Sequence, residues 1–204
     1  MSAVPPLSLY PSRVSIHALY YHIAQQQAQV YQDQTAEHQR LDNDKEGSEE
    51  NLKQKEACYE RIRSAAVIAV TFAGMAIEAF LYDYAATQLG DDYVRKHLDR
   101  LDPKSKFLVY PQLICGKQPD KNGPAYKSLS QLVKLRNDFV HFKSRPFPAL
   151  DPRKAEAIHD ELDDRLRTGV RESIECVTLV MDELDRLHEC APKYRDSMKW
   201  TGVT

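Results

Sequence analysis

The chain has 204 residues, of which 42% are hydrophobic, enough for one packed domain or for a domain with an extension. Its net charge of −2 excludes the global basic field of many nucleic-acid-binding proteins, although it leaves room for a local basic patch. Glycine is scarce, at 7 residues, and residues that favour helices are abundant. The composition therefore predicts an all-α fold.

The cysteines and the N-terminus indicate the cellular compartment but no chemistry. The four cysteines form no C-x-x-C pair and have no histidine at zinc-ligand spacing, which favours buried thiols in a reducing compartment. Residues 1–11 hold three prolines and show no charged stretch followed by an apolar one, as a signal peptide would. We expect a cytoplasmic protein that needs no metal and no cofactor.

The first predicted helix begins after Ser12, a candidate N-cap, and follows an apolar pattern to Tyr31. Residues 32–43 are almost wholly polar, so a helix there is either solvated or leans on a partner. Residues 42–50 are a predicted loop. We take residues 1–49 as an N-terminal extension whose role the sequence does not reveal.

The second predicted helix covers residues 50–89, and residues 64–77 within it carry no charge. Arg63 and Glu78 close this apolar run before the roughly 20 residues that a membrane span needs. A central, buried helix is expected, with Gly74 and several alanines allowing close approach of its neighbours. Glu78 either pairs with a lysine or arginine at the edge of the bundle, or it orients the side chains of a basic site without itself contacting the substrate.

A short helix is predicted over residues 91–101. The next begins at Asp102-Pro103, an N-cap followed by proline at the first helical position, and Pro111 should kink or end it. Residues 116–123 are a predicted loop.

The helix that opens at Pro124 carries an arginine beside its apolar stripe. Arg136 must therefore reach water or meet an acid or a phosphate. The stripe is defined by spacings of three and four residues: Tyr126, Leu129, Leu132, Val133, Arg136 and Val140.

A polar helix is predicted over residues 153–167, after the capped start Asp151-Pro152. Gly169 should break or bend it before a last amphipathic helix over residues 170–188. We expect residues 50–191 to form one helical bundle and residues 192–204 to be a loose tail.

Arg136, Asn137 and His141 combine groups suited to RNA cleavage through the RNA's own 2′-hydroxyl. Histidine moves protons near neutral pH, arginine offers a permanently charged fork for phosphate oxygens, and asparagine can hold the imidazole tautomer. Because Asn137 and His141 are four residues apart, they lie on the same face of a helix. One helix supplies only one histidine and one arginine, which favours a site built from two copies.

The run Arg136-Asn137-Asp138-Phe139-Val140-His141 resembles the R-N-x-x-x-H motif of the HEPN superfamily, and the apolar helix ending at residues 76–81 is similar to helices that precede that motif. The resemblance implies a HEPN-like helical bundle and a metal-independent endoribonuclease, often a toxin or an antiviral effector, with its active site across a homodimer. By this resemblance, the catalytic residues are Arg136, Asn137 and His141, and the substrate is RNA. An antitoxin or a regulatory protein is implied as a further partner. Lys143 stands where one HEPN toxin branch has tyrosine, which argues against that branch.

Other readings stay open at this point. Some HEPN domains are inactive modules that bind a protein or nucleotide, and a plain structural bundle would place His141 in a packed core. Lys134, Lys143 and Arg145 either contact RNA or are solvated side chains. His17 and His22 are expected to be core or solvent histidines, and the acidic residues around His159 a solvated surface.

Overall fold

A computed structural model describes residues 15–44, 48–140, 152–189 and 194–199, and every regular element in these ranges is helical. The all-α prediction is confirmed. The elements are α1 (His17–Asn43), α2 (Glu49–Leu89), α3 (Asp91–Tyr93) with a π-helical turn (Val94–Leu98), α4 (Pro103–Cys115), α5 (Pro124–Val140), α6 (Pro152–His188) and α7 (Tyr194–Ser197).

Helices α1 and α2 form a long antiparallel hairpin. His17 at the start of α1 lies beside Asp83 near the end of α2, whereas Asp42 at the end of α1 pairs with Lys55 at 3.1 Å. The polar half of α1 therefore leans on α2, one of the two alternatives that the sequence offered. Helix α1 begins at His17 and not directly after Ser12, which lies outside the described residues.

Helix α2 is the core of the bundle. Its buried side chains come both from the uncharged stretch, such as Val70 and Ile77, and from the turns that follow it, such as Phe80, Leu81 and Tyr84. By length and composition α2 would also suffice to cross a membrane, but 56% of its most apolar window is buried within the protein. Burial on several faces is typical of a central helix in a packed domain.

Helix α6 is one continuous helix, so the expectation that Gly169 breaks it was wrong. It runs parallel to α2, because Tyr59–Asp163 and Tyr84–His188 both join residues that are 104 positions apart. Gly169 lies where a side chain would collide with Leu135 of α5. The glycine therefore permits a close helix approach.

Helix α5 runs antiparallel to α6, because Asp138 pairs with Arg165 and Leu135 meets Gly169. Helices α1, α2, α5 and α6 consequently alternate in direction, as in a four-helix bundle. Helix α4 packs against α2, α5 and α6. The described part of the chain thus surrounds α2 with α1, α4, α5 and α6.

Two local expectations need correction. Helix α4 starts at the predicted cap, where the Asp102 carboxylate accepts from the N–H of Lys104 at 3.0 Å, but it continues through Pro111 to Cys115. Proline removes one helical hydrogen bond, yet Pro111 lies inside α4 and is buried. The C-terminal tail is packed in its described part, since residues 194–199 carry two buried side chains, Tyr194 and Met198.

Candidate functional site

The final turns of α5 present the predicted motif to three different surroundings. Arg136 points toward α2, Asp138 reaches α6, and Asn137 is exposed to solvent, as is Lys134. This division follows from helical geometry, because neighbouring residues are separated by about 100° around the axis. His141, Lys143 and Arg145 lie outside the described residues.

Arg136 forms an ion pair with Glu78, with 3.2 Å between its Nη1 and the Glu78 Oε2. Both side chains are partly exposed, 26% for Arg136 and 38% for Glu78. Because solvent screens pairs of this kind, the pair adds at most about 1 kcal/mol to stability. Its main consequence is geometric, since it fixes the direction of the guanidinium group.

The aliphatic stem of Arg136 lies directly on α2 at Gly74. A Cβ atom at position 74 would be 2.9 Å from the Arg136 Cδ and 3.7 Å from both its Cγ and its Nε. The Arg136 Nε is buried and donates no hydrogen bond to any described residue. The arginine is therefore held at two points of α2, one turn apart.

An ion pair between Asp138 and Arg165 joins the motif to α6. Asp138 stands at one of the variable motif positions, and sequence reasoning gave it no role. Nothing in the sequence pairs it with Arg165, because the two residues meet only through the antiparallel packing of α5 and α6. This pair holds the last turns of α5 to α6, as the contacts of Arg136 hold them to α2.

A groove of about 280 Å³ runs between α5 and α6 beside this pair. Leu132, Leu135 and Gly169 contribute apolar surface to it, and its rim is polar and of mixed charge. The charged lining residues are Lys134, Asp138, Asp164, Arg165 and Glu172. The rim therefore has no excess of positive charge that would by itself attract a phosphate backbone.

Val140 departs from its predicted position. The spacing places it on the buried stripe with Leu129 and Leu132, which are indeed buried, yet Val140 is 53% exposed. It lies in the last turn of α5, at the end of the helix that precedes His141.

His17 is a structural histidine in the core, one of the two positions, core or solvent, that the sequence left open. The Asp83 Oδ2 lies 3.2 Å from its Nδ1, the Ser15 hydroxyl contacts the same nitrogen, and its Nε2 lies 3.1 Å from the Ser197 carbonyl oxygen. A Ser-His-Asp catalytic triad needs serine and aspartate on opposite ring nitrogens. The arrangement therefore fastens α7 to the start of α1 and does not activate a nucleophile.

A second histidine with packed neighbours, His188, is half-buried and ends α6 among aromatic rings. Its Nε2 lies 2.5 Å from the Tyr84 hydroxyl, and its ring meets those of Tyr84 and Tyr194 edge to face. Burial lowers the pKa of His188 from its ordinary 6.5, and the nearby Lys117 ammonium lowers it further. His188 is thus favoured in its neutral form, as an acceptor for the Tyr84 hydroxyl.

The described cysteines are free thiols: Cys58 and Cys176 are buried, as expected, whereas Cys115 is only half-buried. Burial raises the pKa of the Cys176 thiol to about 12, so it carries no thiolate for nucleophilic chemistry near neutral pH. In the predicted solvated acidic cluster Asp160, Glu161 and Asp164 are exposed, whereas Asp163 is half-buried and accepts a hydrogen bond from the Tyr59 hydroxyl. Within the described residues no group of histidine, cysteine, aspartate and glutamate side chains has the geometry to hold a metal ion.

Comparisons with known proteins give no match to this chain, whether with family models, curated proteins or solved structures.

Proposed function

We propose that this chain is a metal-independent endoribonuclease of the HEPN type, which acts as a homodimer and cleaves RNA by attack of the RNA's own 2′-hydroxyl. The observation that carries the proposal is the placement of Arg136, whose stem rests on Gly74 and whose guanidinium is directed by Glu78. An arginine fixed in this way is suited to binding a phosphate, because little side-chain freedom remains to be lost.

The reaction needs two proton transfers and a fixed cation. His141 removes the proton of the 2′-hydroxyl, whose oxygen then attacks the adjacent phosphorus. The bond between phosphorus and the 5′-oxygen breaks, and the departing oxygen takes a proton from the His141 of a second copy. The products are a 2′,3′-cyclic phosphate and a 5′-hydroxyl, with no net consumption of protons.

Arg136 and Asn137 complete the proposed site. The Arg136 guanidinium stabilises the doubly charged phosphorane, since its planar donors match phosphate oxygens. Asn137, exposed one residue further along α5, orients the imidazole or donates to the phosphate. Glu78 keeps Arg136 in place and touches no substrate.

RNA binding would depend on local charge, because the net charge of the chain is −2. Lys134 is exposed on α5, and Lys143 and Arg145 follow the motif in sequence. We assign these three residues to contacts with the RNA backbone. A cytoplasmic toxin or antiviral effector, controlled by an antitoxin or another regulatory protein, is the setting that the proposal implies.

Cleavage of RNA in the presence of EDTA tests the proposal. Wild-type protein should cleave an RNA that contains both single-stranded and structured regions, whereas the His141→Ala variant should not. His97→Ala is the matched control, because His97 is an exposed histidine on the π-helical turn that follows α3. Equal cleavage by wild-type protein and His141→Ala would contradict the proposal.

The alternative function is a non-catalytic HEPN-like module that binds a protein or nucleotide. The partly exposed Arg136–Glu78 pair is compatible with such a role, because it joins α5 to α2 without taking part in any reaction. This alternative predicts intact RNA and no growth defect when the protein is expressed. Toxicity that disappears in the His141→Ala variant would exclude it.

A further inference from the structure

Gly74 occupies an unusual place in α2. It is the one glycine of that helix, in a run where the neighbouring buried small residues are alanines, including Ala69, Ala73 and Ala76. Glycine is the least favourable residue in a helix interior apart from proline. The backbone gives no reason for it, because Gly74 is not among the described glycines with positive φ.

The reason for the glycine is the space taken by Arg136. An alanine Cβ at position 74 would lie 2.9 Å from the Arg136 Cδ, closer than two non-bonded carbon atoms normally approach in proteins. The other two nearest atoms to this point also belong to Arg136, its Cγ and its Nε. The bare helix surface at Gly74 is thus shaped to one side chain of the motif helix.

Gly74 and Glu78 are four residues apart, so they lie on the same face of α2, one turn from each other. Gly74 receives the stem of Arg136 and Glu78 receives its charged end. The first contact sets how closely the side chain lies against α2, and the second sets its direction. The buried, unpartnered Nε lies between these two contacts along the side chain.

We propose that Gly74 is a positioning residue, which sets the depth at which Arg136 lies on α2 and thereby the place of its guanidinium in the site. This inference rests on the ribonuclease function proposed above. A side chain at position 74 moves Arg136 outward without touching substrate. The added Cβ meets the outer half of the Arg136 side chain, which can shift at a lower cost than the packed helices can, so the loss falls on activity and not on folding.

The test compares Gly74→Ala and the larger Gly74→Val with wild-type protein, and Ser64→Ala serves as an exposed control on the same helix. Turnover of RNA by Gly74→Ala should fall by about 10- to 100-fold with a smaller change in KM, because displacing a catalytic group by about 1 Å can cost on the order of 100-fold. Gly74→Val should lose more. The melting temperature of Gly74→Ala should equal or exceed that of wild-type protein.

A second measurement reads the position of Arg136 without any RNA. Labelling with an arginine-selective dicarbonyl reagent, located by peptide mass spectrometry, should modify Arg136 several-fold faster in Gly74→Ala than in wild-type protein. Wild-type protein that does not cleave RNA would contradict the ribonuclease function, and the labelling would still decide the role of Gly74. Unchanged labelling and unchanged turnover in a folded Gly74→Ala protein would overturn the inference.

If Gly74→Ala folds poorly, a double-mutant cycle with Arg136→Ala, measured by melting temperature, still tests the inference. If alanine at position 74 collides with Arg136 alone, adding it to an Arg136→Ala protein should raise the melting temperature, because alanine favours helix over glycine. An equal decrease in the presence and absence of the Arg136 side chain would place the collision elsewhere and overturn the inference.

Discussion

The Arg136 Nη1 lies 3.2 Å from the Glu78 Oε2, which joins the motif helix α5 to the central helix α2 across 58 residues of sequence. The two groups are partly exposed, so the pair contributes little to stability. The contact instead restricts a side chain that would otherwise sample many rotamers. It makes α2 part of the proposed active site although α2 carries no motif residue.

Replacing Glu78 separates its effect on stability from its effect on the orientation of Arg136. Glu78→Gln should change the free energy of unfolding by less than about 1 kcal/mol, as expected for an exposed pair, while RNA cleavage decreases. Glu37→Gln is the matched control, because Glu37 forms a similar ion pair with Arg40 on α1, at 2.7 Å. Chemical unfolding and the RNA cleavage assay measure both quantities. A Glu78→Gln protein with wild-type turnover would show that Glu78 has no orienting role.

Gly169 should respond to alanine in the opposite way from Gly74. A Cβ atom there would collide with Leu135 in the packed contact between α5 and α6, and Val70 lies close behind. Gly169→Ala should therefore lower the free energy of unfolding by about 1–3 kcal/mol, the usual cost of overpacking. Chemical unfolding measures the loss. The cost should shrink in a Leu135→Ala background, and an equal cost there would place the strain at another contact.

Lys106 is a buried cation that depends on one acid. Its side chain is 3% exposed, and its Nζ lies 3.0 Å from the Oδ1 of Asp99, the residue directly after the π-helical turn. Asp99→Ala should lower the free energy of unfolding by about 1–3 kcal/mol, since it leaves a buried ammonium without this partner. Lys106→Met should cost less, because an apolar side chain of similar length needs no partner. The reverse order in urea unfolding would contradict this view of the pair.

The His188 cluster should make stability depend on pH. Burial and Lys117 lower the pKa of His188 in the folded protein, so the unfolded chain takes up a proton at a higher pH than the folded chain does. The stability that neutral His188 contributes is complete above about pH 6.5 and is lost as pH falls through the lower, folded pKa.

Urea unfolding between pH 7.5 and pH 5 measures this dependence. Wild-type protein should lose stability over that range, and His188→Gln should lose less of it. His97→Gln, at an exposed histidine, should follow wild-type protein. A His188→Gln profile that parallels the wild-type profile would assign the pH dependence to other groups.

The sequence was sufficient for elements whose signals are local. The uncharged run of residues 64–77 marked α2 as the central helix, and the predicted bounds of residues 50–89 differ from the observed ones by one residue. Asp102-Pro103 marked the start of α4 because both the cap and the proline act within one turn. These features depend on neighbours in sequence, and a sequence displays them directly.

The expectations that were wrong or incomplete concern residues whose partners are distant in sequence. Gly169 looked like a helix breaker, since glycine is unfavourable in helices, and only the approach of Leu135 explains why it stands inside α6. Helical spacing placed Arg136 at the edge of the buried stripe and required an acid or a phosphate beside it. It could not choose Glu78, 58 residues away, or identify Gly74 as the surface on which the arginine lies.

We propose that Arg136 and His141 promote attack of a 2′-hydroxyl on the neighbouring phosphate without a metal ion. The most direct test of this proposal incubates wild-type protein in EDTA with an RNA oligonucleotide and with its fully 2′-deoxy counterpart, and identifies the new ends by mass spectrometry. We expect 2′,3′-cyclic phosphate and 5′-hydroxyl ends from the RNA and no cleavage of the deoxy strand. Cleavage of both strands, or RNA that stays intact, would contradict it.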